Sequence, residues 1–352
     1  MREESLSFLK ALLSTPGPSG YEEDAARLWR EEAAKFSGVR GDRMGNSFAT
    51  LNAGGRPRIM LSGHIDEIGL IVTHIGDDGR VYFKGIGGWD SQVLVGQRVL
   101  IRGRSGDVRG VIGKKAVHTM SAEERKKVSE IKDLWIDVGA RDGEEAREMV
   151  RVGDAAVLDH GLLELPNGRI ASRSVDDRIG AFIVLEALRL LAESGGFSAE
   201  VVAVASVQEE IGAYGARGSA YGLDPDAAVA VDVTHATDIT GVSRQEHGDH
   251  SLGSGPVITR ASVLSPVVTA GLMEAAEREG IPYTLEADSG RTGTDADAIH
   301  LSRAGIACGV VSAPNRYMHS PNEMVELRDL ENCARLIAAW VRTLTPETDF
   351  IR

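Results

Sequence analysis

Apolar positions recur at helical spacing at the start of the chain. Leu6, Leu9, Leu12 and Leu13 share one face and stop at Pro16-Gly17-Pro18, which predicts a helix and a sharp end. YEEDAARLWREEAAKF (21–36) predicts a second amphipathic helix, and SFATLN (47–52) and RIMLSGH (58–64) predict strands. From residue 67 the pattern changes to short β-rich runs: LIVTHI, VYFKGI, QRVLIRG, VRGVIG, LWIDVG and DAAVLD, separated by Gly and Asp. Only SAEERKKVSEIKD (121–133) interrupts them with a helical pattern. Regular short strands with turn signals predict a small barrel or sandwich, closing near LPNGR at residue 165. Strands and helices then alternate: helices at 176–194, 265–280 and 327–344, strands at 199–207, 226–233 and 306–313. That alternation predicts an α/β fold with a largely parallel sheet sandwiched by helices. Residues 1–66 and 166–352 form this discontinuous α/β domain in the reading, and residues 67–165 form a β domain inserted within it.

Length supports the same organisation, because 352 residues at about 150 per domain suggest two domains. The charge narrows the function. With 52 acidic against 39 basic residues the chain carries −13, which repels phosphate backbones and argues against nucleic-acid or anionic-membrane binding. Cys308 and Cys333 cannot build a disulfide framework, and MREESLSFLKALLS does not read as a signal peptide. No apolar run approaches the length of a membrane span. The expectation is a soluble, cytoplasmic protein.

The chain contains no H-E-x-x-H, G-x-S-x-G or P-loop motif, and no C-x-x-C pair. Acidic and His residues instead follow predicted strands: His64 and Asp66, Glu209 and Glu210, Asp232, and His319, while Asp176 and Asp177 open a helix. Open α/β sheets bind ligands outside the carboxyl ends of their strands, so five segments deliver ligand-type side chains to one edge. Taken singly, each has a plainer reading. The Asp pair could cap its helix, Asp232 could begin a turn, and a lone His-x-Asp is ordinary surface chemistry.

GHIDEIG (63–69), SVDDRIG (174–180), VQEEIGAYGA (207–216), DVTHATD (232–238), GTDADAIH (293–300) and RYMHSP (316–321) occur in that order. Together these blocks resemble the TET or deblocking aminopeptidases, family forty-two of the metallopeptidases, over nearly the whole chain. The resemblance implies a zinc-exopeptidase-like fold in which the inserted domain is a small β-barrel that serves dimerisation. It implies two divalent metal ions per subunit, Zn²⁺ first, with Co²⁺ or Mn²⁺ as alternatives. His64 and Asp232 then correspond to ligands of one metal, Glu210 and His319 to ligands of the other, and Asp176 to the bridging carboxylate. Glu209 corresponds to the general base and Asp66 to the partner that orients His64. Thr294 and Asp295 fall in a block that resembles a substrate-pocket wall.

The implied reaction is removal of N-terminal residues from short unblocked peptides, with a metal-bridging hydroxide as nucleophile. The implied assembly is a homo-oligomer of dimers forming a tetrahedral dodecamer. A related dinuclear deacylase or carboxypeptidase is the enzymatic alternative, and an inactive peptide-binding assembly is the other. Thr292 and Ala307-Cys308 depart from the common pattern near the expected pocket, so side-chain preference does not carry over. His235 is expected to play a structural part, Asp177 and Arg178 to anchor the helix start, and His247 and His250 to face solvent or an interface. Cys308 is expected to pack as a small apolar side chain.

Overall fold

The computed structural model describes residues 1–103 and 106–352. An eight-stranded sheet runs in the order Gly38–Gly41, Ser47–Leu51, Glu200–Ser206, Arg58–His64, Ala227–His235, Ala307–Asn315, Val257–Ala261, Thr284–Asp288. The four strands from Glu200–Ser206 to Ala307–Asn315 are parallel. They carry the near-continuous apolar runs VVAVA, AAVAV and CGVV, as strands covered on both faces must. On one side of this group, Ser47–Leu51 and Gly38–Gly41 add on antiparallel. On the other side, Val257–Ala261 pairs antiparallel with Ala307–Asn315, and Thr284–Asp288 runs parallel to Val257–Ala261.

Helices cover both faces. Glu3–Ser14, Glu23–Ala33, Val175–Ser194, Pro266–Glu279 and Leu327–Val341 bury the larger core, which includes Leu9, Trp29, Phe182, Leu272 and Trp340. Tyr214–Leu223 and Ala296–Ile299 cover the other face through Ala216, Ala220 and Ile299. The approach of Val175–Ser194 to the sheet is close because Gly63 and Gly180 meet there. A Cβ at Gly63 would lie 2.3 Å from the Gly180 carbonyl carbon.

Between Gly69 and Leu158 six strands close into a barrel: Gly69–Ile75, Arg80–Ile86, Trp135–Asp137, Gly106–Gly113, Arg98–Gly103 and Ala155–Leu158. Its interior is a separate core that includes Leu70, Val72, Val81, Phe83, Val99, Ile112 and Ile136. A small antiparallel sheet of Leu163–Leu165, Arg169–Ser172 and Glu323–Glu326 is paired with neither, and its Ile170 and Val325 join the larger core. Among the described residues no helix is long and apolar enough to cross a membrane.

One predicted element does not form. Residues 121–133 hold only two 3₁₀ turns, Glu124–Lys126 and Ile131–Asp133. The segment is rich in helix formers, but its side chains are exposed or half-exposed throughout. Without an apolar face to bury, a helix this short has little to stabilise it.

Candidate metal centre

Parallel pairing brings the predicted residues to one edge. His64 ends its strand opposite Ser206, so Glu209 and Glu210 leave the neighbouring strand just beyond it. Asp232 lies opposite Ser312 one strand further along, and His319 follows the end of that strand, Asn315. Asp176 arrives from the helix start. Asp176 (φ −76°, ψ 112°) and Asp177 (φ −118°, ψ 39°) both depart from helical geometry, and the peptide bond between them is cis. Asp177 caps the helix by accepting the Gly180 N–H at 2.9 Å, and its other oxygen accepts the His64 N–H at 3.1 Å. Asp176 is left to face the edge.

Two groups of ligand-type atoms result. His64, Asp176 and Asp232 each offer one atom within 4.8 Å of the others, and so do Asp176, Glu210 and His319. Asp176 belongs to both groups. Its Oδ1 is 3.2 Å from His64 Nε2 and its Oδ2 is 3.3 Å from His319 Nε2. Glu210 Oε1 is 3.4 Å from His319 Nε2, and Glu209 Oε2 is 3.9 Å from His64 Nε2.

Each imidazole is oriented from behind. His64 Nδ1 lies 3.2 Å from the Asp66 carbonyl oxygen and 3.5 Å from its carboxylate. His319 Nδ1 lies 2.8 Å from the carbonyl oxygen of Gly88, at the end of a barrel strand and its turn. A proton on each Nδ1 would leave both Nε2 atoms as electron-pair donors once a cation takes the place of the Nε2 proton that each imidazole otherwise shares with Asp176. Asp66 also accepts the Ser19 hydroxyl at 2.5 Å and the N–H groups of Glu209 and Glu210 at 3.1 and 3.2 Å, so it positions three site residues together.

The electrostatics are those of too many acids in too little water. Burial drives the Asp177, Asp232 and Glu323 carboxyls well above the usual range, and the Asp176 charge adds to the effect on each. Burial likewise pushes Glu209 up to about 8, opposed by His64 and reinforced by Asp295 and Glu210. Asp176 and Asp66 go the other way: burial raises each, but hydrogen bonds, to both imidazoles for Asp176 and to His64 and Ser19 for Asp66, outweigh that and hold them below the ordinary value. Burial works against a charged His319, yet Asp176 and Glu210 lift it to about 11. Glu210 Oε1 is buried with no hydrogen-bond partner among the described residues. Two imidazoles and three carboxylates in two groups that share one acid are a donor set for divalent cations of the zinc type, and the unpartnered oxygen fits the same use.

Thr294 and Asp295 lie beneath this edge and are both buried. Asp295 accepts the Ser62 and Ser206 hydroxyls at 2.7 and 2.5 Å, and Thr294 Oγ1 meets Thr292 Oγ1 at 2.9 Å. A cavity of about 880 Å³ opens beside His319, walled by Trp89, Gln92 and Val95 on the barrel side and by Tyr317, Met318 and Pro321 opposite. Glu323 was not anticipated. Its backbone partners, Asp176 and His319, lie on other elements, and its only local signal is its place four residues after His319. His250 differs from expectation. It is fully buried, with Nδ1 2.8 Å from Thr284 Oγ1, because the loop after His247 turns back under the strand Thr284–Asp288. His247 is exposed, and Cys308 packs in the apolar core as predicted.

This arrangement of an open α/β sheet beside a closed barrel is shared with solved aminopeptidases. A TET aminopeptidase from a marine-sediment Thaumarchaeota archaeon superposes with a TM-score of 0.93 at 36% identity, covering 97% of each chain. The TET1 peptidase of Pyrococcus horikoshii, which can assemble into a tetrahedron or a large octahedral shell, gives 0.86 at 33% identity, covering 97% of this chain and 100% of its own. Lysyl aminopeptidase of Pyrococcus furiosus is 34% identical over 343 residues, covering 96% of this chain and 97% of the relative. The protein is therefore a peptide hydrolase. The family model described as M42 glutamyl aminopeptidase matches residues 45–336, and the chain belongs to that family of metallo-aminopeptidases.

Proposed function

We propose that the protein removes N-terminal residues from short, unblocked peptides, with two divalent cations held by His64, Asp232, Glu210 and His319 and shared by Asp176. The observation that carries the reading is the placement of the two Asp176 oxygens, 3.2 and 3.3 Å from imidazoles on opposite sides. When bound, the cations supply Lewis-acid polarisation of the scissile carbonyl and make the attacking water more acidic. Glu209 coordinates in neither group, so its carboxylate is free to take a proton from that water and to return it to the leaving amine. Asp66 keeps Glu209 in reach through its N–H. The cavity between Trp89 and Tyr317 suits the substrate's first side chain, whereas Thr294 and Asp295 are not among the residues that line it.

The exposed Val111, Val117 and Val128 of the inserted segment support self-association, and a neighbour, PhTET1-12s, solved as a dodecamer supports that assembly. Each subunit carries −13, so assembly is expected to become more complete as salt screens that charge, which sedimentation at several ionic strengths measures. The catalytic reading is tested with metal-loaded wild type and Glu209→Gln on aminoacyl reporters, their N-blocked counterparts and C-terminal substrates. Wild type should cleave only substrates with a free α-amine. Glu209→Gln should lose about 10²- to 10⁴-fold in kcat with its metal content unchanged. Cleavage of N-blocked substrates alone, or full activity of the variant, overturns the reading.

A further inference from the structure

Glu323 opens the strand Glu323–Glu326, whose antiparallel register sets it opposite Ser172, just ahead of Asp176. Its side chain is buried, and its two oxygens go to two backbone donors: Oε2 accepts the Asp176 N–H at 3.0 Å and Oε1 accepts the His319 N–H at 2.7 Å. Neither donor continues the helix or strand beside it, so neither amide is satisfied by that element. Asp176 is off the helical path (φ −76°, ψ 112°), so its amide has no acceptor in the helix. His319 has φ +57°, the left-handed region that disfavours any residue with a Cβ. A glycine would adopt it freely, but a glycine offers no imidazole.

We propose that Glu323 is a positioning residue: one carboxylate holds the backbones of Asp176 and His319 together and so sets the geometry of the Asp176–Glu210–His319 group for a divalent cation. The inference rests on the metal reading above. A carboxylate suits this task because it offers two acceptors and no donor. Glutamine of the same volume can accept only one of the two amides and turns an NH₂ donor toward the other. Aspartate keeps the charge but is one methylene too short to reach both. The group that contains both held residues should suffer most, and the His64–Asp176–Asp232 group, in which only Asp176 is held by Glu323, should suffer less.

The test titrates metal-free wild type, Glu323→Gln and Glu323→Asp with Co²⁺, followed by visible absorption, alongside circular dichroism. Hydrogen exchange at residues 174–178 and 317–321 is read by mass spectrometry on the same samples. Wild type should bind two equivalents and protect both amides. The variants should keep their secondary structure, bind one equivalent at least tenfold more weakly than the other, and exchange faster at both segments. A loss of general packing would weaken both equivalents alike, so the selective defect is the signature of positioning. Unchanged affinities and exchange in a folded variant overturn the proposal. Rapid exchange of both amides in wild type also overturns it, even if neither variant folds. A wild type that binds no Co²⁺ overturns the metal reading itself and is told apart by that result.

Discussion

Asp176 and Asp177 are adjacent and chemically identical, yet the backbone gives them different work. Asp177 turns inward to accept the N–H groups of Gly180 and His64, whereas Asp176 presents one oxygen to each imidazole. The same principle, a buried carboxylate holding backbone amides, recurs away from the site. Asp329 accepts the Gly253 and Gly255 N–H groups at 2.7 and 2.9 Å, and burial lifts its carboxyl to about 6 despite those bonds. Because its pKa in the fold lies above the ordinary 3.8, the folded state holds this proton more tightly than the unfolded chain. Its stabilising effect is therefore complete below about pH 4 and is lost as pH rises through 6. Asp329→Asn should remove that slope, which amounts to a change on the order of 2 kcal/mol in the wild-type-minus-variant difference. Urea midpoints at pH 4 and pH 7 measure it, and parallel pH profiles for the two proteins would contradict the assignment.

Between elements, the contact of the strand Arg58–His64 with the helix Val175–Ser194 is set by backbone proximity. A Cβ at position 63 would meet the Gly180 carbonyl carbon at 2.3 Å and the Ala181 nitrogen at 2.5 Å. Both neighbours are main chain, so nothing flexible can yield. Gly63→Ala should destabilise by about 3 kcal/mol or more by overpacking, seen as a lower denaturant midpoint, and should move His64 relative to Asp176. Gly222 in the helix Tyr214–Leu223 is the contrasting case, where a methyl group would meet nothing within 4 Å among the described residues. Gly222→Ala should raise stability by about 0.5 to 1 kcal/mol, because it gains helix propensity without a clash. Segment 121–133 makes the complementary point. Its composition favours a helix, but a helix would need a whole apolar face packed on a neighbour, and of this segment only Ile131 packs against the barrel core.

Across the subunit, the site depends on parts that are remote in the chain. The barrel contributes the Gly88 carbonyl that orients His319 and one wall of the adjoining cavity, while the sheet contributes most of the remaining donors. Metal removal should therefore be felt globally. A chelator should abolish hydrolysis and lower Tm, since bound ions stabilise by about 2.7 kcal/mol at a hundredfold excess over Kd and also neutralise the buried acids. Calorimetry and activity before and after Zn²⁺ or Co²⁺ is returned check both effects, and an unchanged Tm with full activity in chelator would contradict metal dependence.

The central strands, the main helices and the acids and histidines just beyond the strand ends are legible in the chain alone. These signals are local: an apolar run marks a strand buried on both faces, and ligand-type residues that are ordinary singly become informative when several strand ends carry them to one edge. Six ordered motifs also carried the family. Folding in three dimensions was needed to establish which oxygen faces which imidazole, and that Asp177 caps while Asp176 faces the edge. It was needed equally to show that Glu323 bonds to Asp176, 147 residues away, and that His250 is buried. Such pairings depend on strand register and on loop backbones with left-handed φ, as at His319, and both are set by long-range packing that leaves no periodic trace in the chain.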